Sequence, residues 1–306
     1  MTTTSVREGT LTRSGFRLWI YLSMGAAILG FVGSIVALVD TGIYEGLTAV
    51  FLPQALAQDL ANLVVAPLLV IVAVLALRGS LRAYLAWLGV VAFTLYNYVI
   101  YAFSVPFGRL FPIWITVLSL SLFALIGGVH AIDAAVTANS YAKRRLVTTS
   151  AWVLLAVAGL FGLLWLSEDV PALLSGSIPQ SVRDTALPTN PVHILDYVFF
   201  LPAAIITSIG LLCRRRFAFV AAPAFFVFLI LTCAPILITP LVQVHVAINV
   251  GMIVAISVLA LALLAVLILL VRSVHSQPQG MDRQKGRARV VGLLHHDEKP
   301  TIARWE

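Results

Sequence analysis

Long uninterrupted apolar runs, separated by short polar stretches, make up most of this chain. Eight stand out, at about 18–39, 59–77, 83–104, 110–131, 148–166, 193–212, 217–239 and 245–271. Each is long enough to cross a hydrocarbon core of about 30 Å as a helix of roughly 20 residues. The runs lack the apolar–polar alternation over about 10 residues that a membrane barrel strand shows. The pattern therefore predicts an all-α integral membrane protein with eight transmembrane helices. It divides the chain into a basic N-terminal segment (1–17), a transmembrane domain (18–272) and a basic tail (273–306). The tail is polar and contains Gly and Pro, so partial disorder is expected there. The first run follows Arg7, Arg13 and Arg17 as a signal peptide would. It is too long for an h-region and no small-residue cleavage site follows it, so it is read as a retained span.

Composition strengthens this picture. Sixty per cent of the 306 residues are apolar and 11% are charged, with a mean hydropathy of +1.01. A soluble domain carries about 25% charged residues. The Ala, Val and Leu content is typical of bacterial-type inner-membrane proteins. The two cysteines, Cys213 beside Arg214–Arg216 and Cys233 inside an apolar run, form no CxxC pair. A thiol-redox function is not expected.

The pI of about 9.8 could suggest nucleic acid, but the positions of the charges argue otherwise. With the N-terminus inside, 18 of the 20 Lys and Arg residues fall in inner segments, and Arg109 and Arg183 alone lie outside. This bias predicts both termini on the cytoplasmic side of the cell membrane. Seven of the 13 acidic residues, Asp40, Glu45, Asp59, Glu168, Asp169, Asp184 and Asp196, fall on the outer side. The basic balance is thus topology and attraction to anionic headgroups of the bilayer, with no nucleic-acid partner.

A parallel repeat of two four-helix halves, 18–147 and 148–272, is also suggested. Asp59 and Asp196 each open a span, with Arg78 and Arg215 in the following short turns. Pro67 and Pro202 lie early in those same spans, and the pairs Pro53-Gln54 and Pro179-Gln180 precede them. Such repeats build many transporters.

Ionisable residues within spans are costly, so they are functional candidates. Nearly all gather at the outer helix ends. The candidate ligand-binding set is Asp196, His193, Asp59, Asn97, Tyr98, Tyr101, Arg109 and Glu168. His193 and Asp196 are three apart and share a helix face, as do Asp59 and Asn62, while Asn97/Tyr101 and His193/Tyr197 are four apart. Arg109 and His193 are the expected partners of Asp196. Gln58, Trp165, Asp169 and Tyr197 occupy the same level, and Gln243, His245 and Asn249 are read as the start of the last span. Blander readings stand beside these. Tyr96 suits an interfacial aromatic belt, Asp59 a helix cap, Glu168 and Asp169 a solvated loop, and His193–Asp196 a structural hydrogen bond.

Several function classes lack their residues. A retinal Schiff base needs an intramembrane lysine, and the lysines are Lys143, Lys285 and Lys299. There is no HExxH, no GxSxG serine and no P-loop. His193 with His245 is thin support for haem, and His295-His296 for a metal. No cofactor and no metal is expected. The residues point to an outward-facing polar pocket that binds or transports a small solute, ion or lipid. A membrane-embedded enzyme at the outer leaflet, with His193 and Asp196 as ligands or an acid–base pair, and a structural subunit are the alternatives.

Overall fold

The computed structural model describes residues 15–139, 141, 144–243 and 249–274. Its elements are α1 (Phe16–Val39), a 3-10 turn (Thr41–Tyr44), α2 (Phe51–Leu77), α3 (Leu81–Ser104), α4 (Phe111–Ala131), α5 (Ala134–Asn139) and α6 (Arg144–Ser175). Next come α7 (Gln180–Thr185), α8 (Pro191–Leu195), a π-helical segment (Asp196–Phe200), α9 (Leu201–Leu212), α10 (Ala218–Val242) and α11 (Val250–Arg272). Among the described residues, eight helices are long and apolar enough to span a membrane: α1, α2, α3, α4, α6, the continuous rod Pro191–Leu212, α10 and α11. Among the described residues there is no strand, and Tyr141 and Val274 form an isolated bridge. The predicted all-α, eight-span class is what the chain adopts. Lipid supplies no partners for backbone N–H and C=O groups, so apolar runs of this length must satisfy them internally.

Helix ends follow local chemistry. Ser80 caps α3 by accepting from the Ala83 N–H (3.3 Å), and Asn249 caps α11 by accepting from the Met252 N–H (3.0 Å). The tight α2–α3 turn needs Gly79, whose φ of 89° suits a residue without Cβ. Two helices outrun the apolar pattern. α2 begins at Phe51 and α6 runs on to Ser175: QALAQDL is only weakly apolar yet made largely of helix formers, and α6 continues past Glu168 and Asp169 and through Pro171. The last span starts at Val250, and Gln243 instead ends α10. His245 and His295-His296 lie outside the described residues.

Helices α1, α2, α3 and α4 close a ring in which each packs on the next and α4 returns to α1. Helices α6, α9, α10 and α11 close a second ring in the same way. The rings meet where α10 packs on α2 and α3, and where α8 packs on α3. Small residues permit the closest approaches. A Cβ on Gly89 of α3 would lie 2.5 Å from the Ala224 carbonyl oxygen of α10, and one on Gly127 of α4 would lie 2.0 Å from the Trp19 ring of α1. Helix association in lipid rests on such packing. The surface carries large apolar side chains in every quarter, among them Ile28, Phe123, Leu163 and Leu261.

Charge divides the two ends of the bundle. One rim holds Arg78, Arg82, Arg144, Arg145, Arg214–Arg216 and Arg272, and is called the basic rim below. Here the Arg82 guanidinium donates to the Val274 carbonyl (2.7 Å) and the Tyr141 hydroxyl to the Phe219 carbonyl (3.0 Å). The opposite, acidic rim holds Asp40, Glu45, Glu168, Asp169 and Asp184 with Arg109 and Arg183.

Candidate functional site

A buried carboxylate must collect donors or it is prohibitively costly. Near the acidic rim the protein gathers donors around three carboxylates, the buried Asp59 and Asp196 and the half-buried Asp169, on three sets of elements.

The first is Asp59, roughly 12 Å along α2 from Phe51 at 1.5 Å per residue, and 2% exposed. It is two turns inside the helix, so it does not cap it. One oxygen accepts from the Tyr44 hydroxyl of the 3-10 turn and the other from the Tyr101 hydroxyl of α3 (2.9 Å). Burial, and next the Asp59 carboxylate, hold the Tyr44 hydroxyl proton well above the ordinary phenol range, so Tyr44 stays a donor. Beside this pair the Gln58 amide donates to Asn62 (2.9 Å), and the Asn62 amide donates to Ser34 of α1 (3.1 Å). Tyr101 stacks on Trp114 of α4 and also contacts the Tyr98 ring (centroids 5.6 and 5.2 Å).

The second is Asp196, on the rod Pro191–Leu212 about 8 Å beyond Pro191 and 6% exposed. One oxygen accepts from the Tyr96 hydroxyl of α3 (2.9 Å), the other from the Trp165 indole N–H of α6 (2.8 Å). Asp196 opens the π-helical segment, whose i→i+5 bond runs from the Leu201 N–H to the Asp196 carbonyl. Pro202 follows and has no N–H for the ladder. Such π turns are frequent at functional sites.

The third is Asp169, near the far end of α6. It accepts from the His193 Nδ1 (2.9 Å) and from the Tyr197 hydroxyl (2.9 Å). His193, 4% exposed, lies against the Trp165 ring (centroids 4.4 Å). Its Nε2 has no hydrogen-bond partner and sits 3.9 Å from Glu168. Glu168 accepts from the Ser181 N–H of α7 (2.7 Å), and Asn190, which caps α8, donates to the Ser181 hydroxyl (3.0 Å).

These positions correct several sequence expectations. The partners of Asp196 are Tyr96 and Trp165, not His193 and Arg109. Arg109 instead pairs with Asp40 on the exposed rim. His193 and Tyr197, four apart, do share a face, and both reach Asp169. Tyr96 is no belt residue. Tyr96 and Tyr101 lie about 140° apart around α3, given 100° per residue. One helix therefore serves both buried aspartates, one on each flank. Tyr44 carried no signal in the sequence, because it sits in a short loop turn outside any periodic run. Of the candidate set, Asn97, Tyr101 and Asp196 line one cavity, Asp59 lies behind Tyr101, and Tyr98 packs inward against Gly30. Glu168 and His193 form the adjoining cluster.

The cavity has a volume of about 520 Å³ and lies between the two rings at the acidic rim. Gln58, Asn97 and Tyr101 line it from one side, and Trp165, Asp196, Phe228 and Thr232 from the other. Asp184 and Leu187 stand at its mouth. Its walls are mostly apolar and aromatic, with a few convergent polar groups, as in small-molecule sites of 300–1,000 Å³. Among the described residues, no group of three or more His, Cys, Asp or Glu side chains is placed to hold a metal ion.

The fold and this site define a multi-pass helical membrane protein. No family model, curated protein or solved structure matches the chain.

Proposed function

We propose that this protein binds a small amphiphilic solute or lipid in the cavity between the two rings and carries it across a plasma or inner membrane. In this reading the acidic rim faces outward and both termini are cytoplasmic, in keeping with the basic opposite rim. The observation that supports it most is Asp196. A carboxylate is held in the wall of a largely apolar cavity by donors from two other helices, α3 and α6. Structural hydrogen bonding alone does not call for an open volume of about 520 Å³ beside it. Transport would follow from rocking of one ring against the other, with α10 as the shared contact. Pro223, Pro235 and Pro240 interrupt the α10 ladder and give it places to bend.

Thr232 lines the cavity from α10, and Thr232→Trp fills it. Native mass spectrometry of protein purified from its host membrane should show a bound small molecule on the wild type that the Thr232→Trp variant lacks. Identical adducts on both proteins, or none on either, would remove the basis for the reading.

A further inference from the structure

The Asp196 carboxylate faces the cavity with both oxygens accepting from neutral groups, a phenol and an indole. No Lys or Arg stands among the described residues that line this volume, and a second carboxylate, Asp184, is at its mouth. Among the described residues the nearest imidazole, His193, is within electrostatic reach of Asp196, but it is hydrogen-bonded to Asp169 and lies 3.9 Å from Glu168. Among the described residues, the cavity wall therefore carries a carboxylate with no Lys or Arg as its counter-ion. The same wall is aromatic: Tyr96, Phe161, Trp165, Phe200 and Phe228 line it. Ring faces carry negative potential and attract cations within about 6 Å of their centroids. An anionic solute would meet an uncompensated carboxylate. A neutral one would leave that charge buried and unpaired. A metal ion would need several hard ligands at once, and no such group exists among the described residues.

On these grounds, and resting on the binding-cavity reading above, we propose that the cavity selects a hydrophobic organic cation. Its charged centre, an amine, quaternary ammonium or phosphonium, sits against Asp196. Its apolar body lies on Phe200 and Phe228. Trp165 and Tyr96 hold the carboxylate in place and offer ring faces to the cation.

The test uses the full chain in lipid nanodiscs and two probes of matched shape and opposite charge, tetraphenylphosphonium and tetraphenylborate. Saturable binding is measured by equilibrium dialysis on the wild type, Asp196→Asn and Thr232→Trp. Saturable phosphonium binding is expected in the wild type, lost in Thr232→Trp and weakened at least about ten-fold in Asp196→Asn, with no saturable borate binding. Borate binding as tight as phosphonium binding, or phosphonium binding unchanged by Asp196→Asn but abolished by Thr232→Trp, overturns the cation assignment and leaves the cavity reading standing. If neither probe distinguishes the wild type from Thr232→Trp, the cavity reading itself fails. Should Asp196→Asn not fold, Asp184→Asn, outside the membrane-length helices, serves in its place. A loss of about three-fold is expected there, and none overturns the assignment.

Discussion

At the scale of single residues, the acidic rim is governed by the cost of burying carboxylates. Asp59 and Asp196 each receive one donor per oxygen, and one of those donors in each case is a tyrosine of α3. Hydrogen bonds to a charged group contribute about 1.5–3 kcal/mol each, and leaving a buried charge short of a donor costs at least as much. Tyr44 is the informative case, because it belongs to a loop and yet completes the Asp59 site. Tyr44→Phe removes that donor and leaves Tyr101 alone on the carboxylate. The expected loss is about 1–3 kcal/mol, read as a lower thermal midpoint in detergent micelles. In an Asp59→Asn background the same substitution should cost clearly less, since the acceptor is no longer a carboxylate. An equal loss in both backgrounds would show that Tyr44 acts by packing alone.

At the scale of helices, association is set by how closely backbones approach. α3 is the most enclosed of the eight spans, with 61% of its most apolar window buried. Gly89 lets it reach α10: an added Cβ would also fall 2.6 Å from the Val227 Cβ. Gly89→Ala should destabilise by about 1–3 kcal/mol as overpacking forces the two rings apart. Gly159→Ala is the matched control, because nothing lies within 4 Å of its added Cβ. The comparison is a pair of thermal unfolding curves; equal midpoints would mean the α3–α10 contact is not what joins the rings. This is also where the limit of the sequence lies. Eight helices are legible because a continuous apolar run of this length has no other way to satisfy its backbone in lipid. The start of α2 at Phe51 is not, because Gln54, Gln58 and Asp59 look like loop to a hydropathy window, while Gln58 and Asp59 face protein in the fold. Asp196 is legible as a candidate from the cost of its position. Its partners are not, because periodicity says which residues share a face of one helix and nothing about which helix lies opposite. The two flanks of α3, with Tyr96 on one and Tyr101 on the other, become visible only once α2 and α8 are placed beside it.

At the scale of the whole molecule, the decisive asymmetry is between the rims. Among the described residues, nine arginines lie at the basic rim, Arg17 at the start of α1 with the eight named above, and two, Arg109 and Arg183, at the acidic one. A Lys/Arg excess of this kind in short loops sets orientation during insertion. Which compartment the cavity samples depends on that orientation. The protein brings its own reporter. Cys213 is exposed in the turn between α9 and α10 at the basic rim, and Cys233 is buried within α10. A membrane-impermeant maleimide should therefore modify Cys213 in inverted vesicles and leave it untouched in right-side-out ones, with Cys233 silent in both. Placing a cysteine at Ser177, in the exposed loop of the acidic rim, in a Cys213→Ser background should give the opposite result. Labelling of Cys213 from the outside would reverse the orientation. The cavity would then open to the cytoplasm, and a ligand drawn to Asp196 would be one that the cell supplies rather than one it meets.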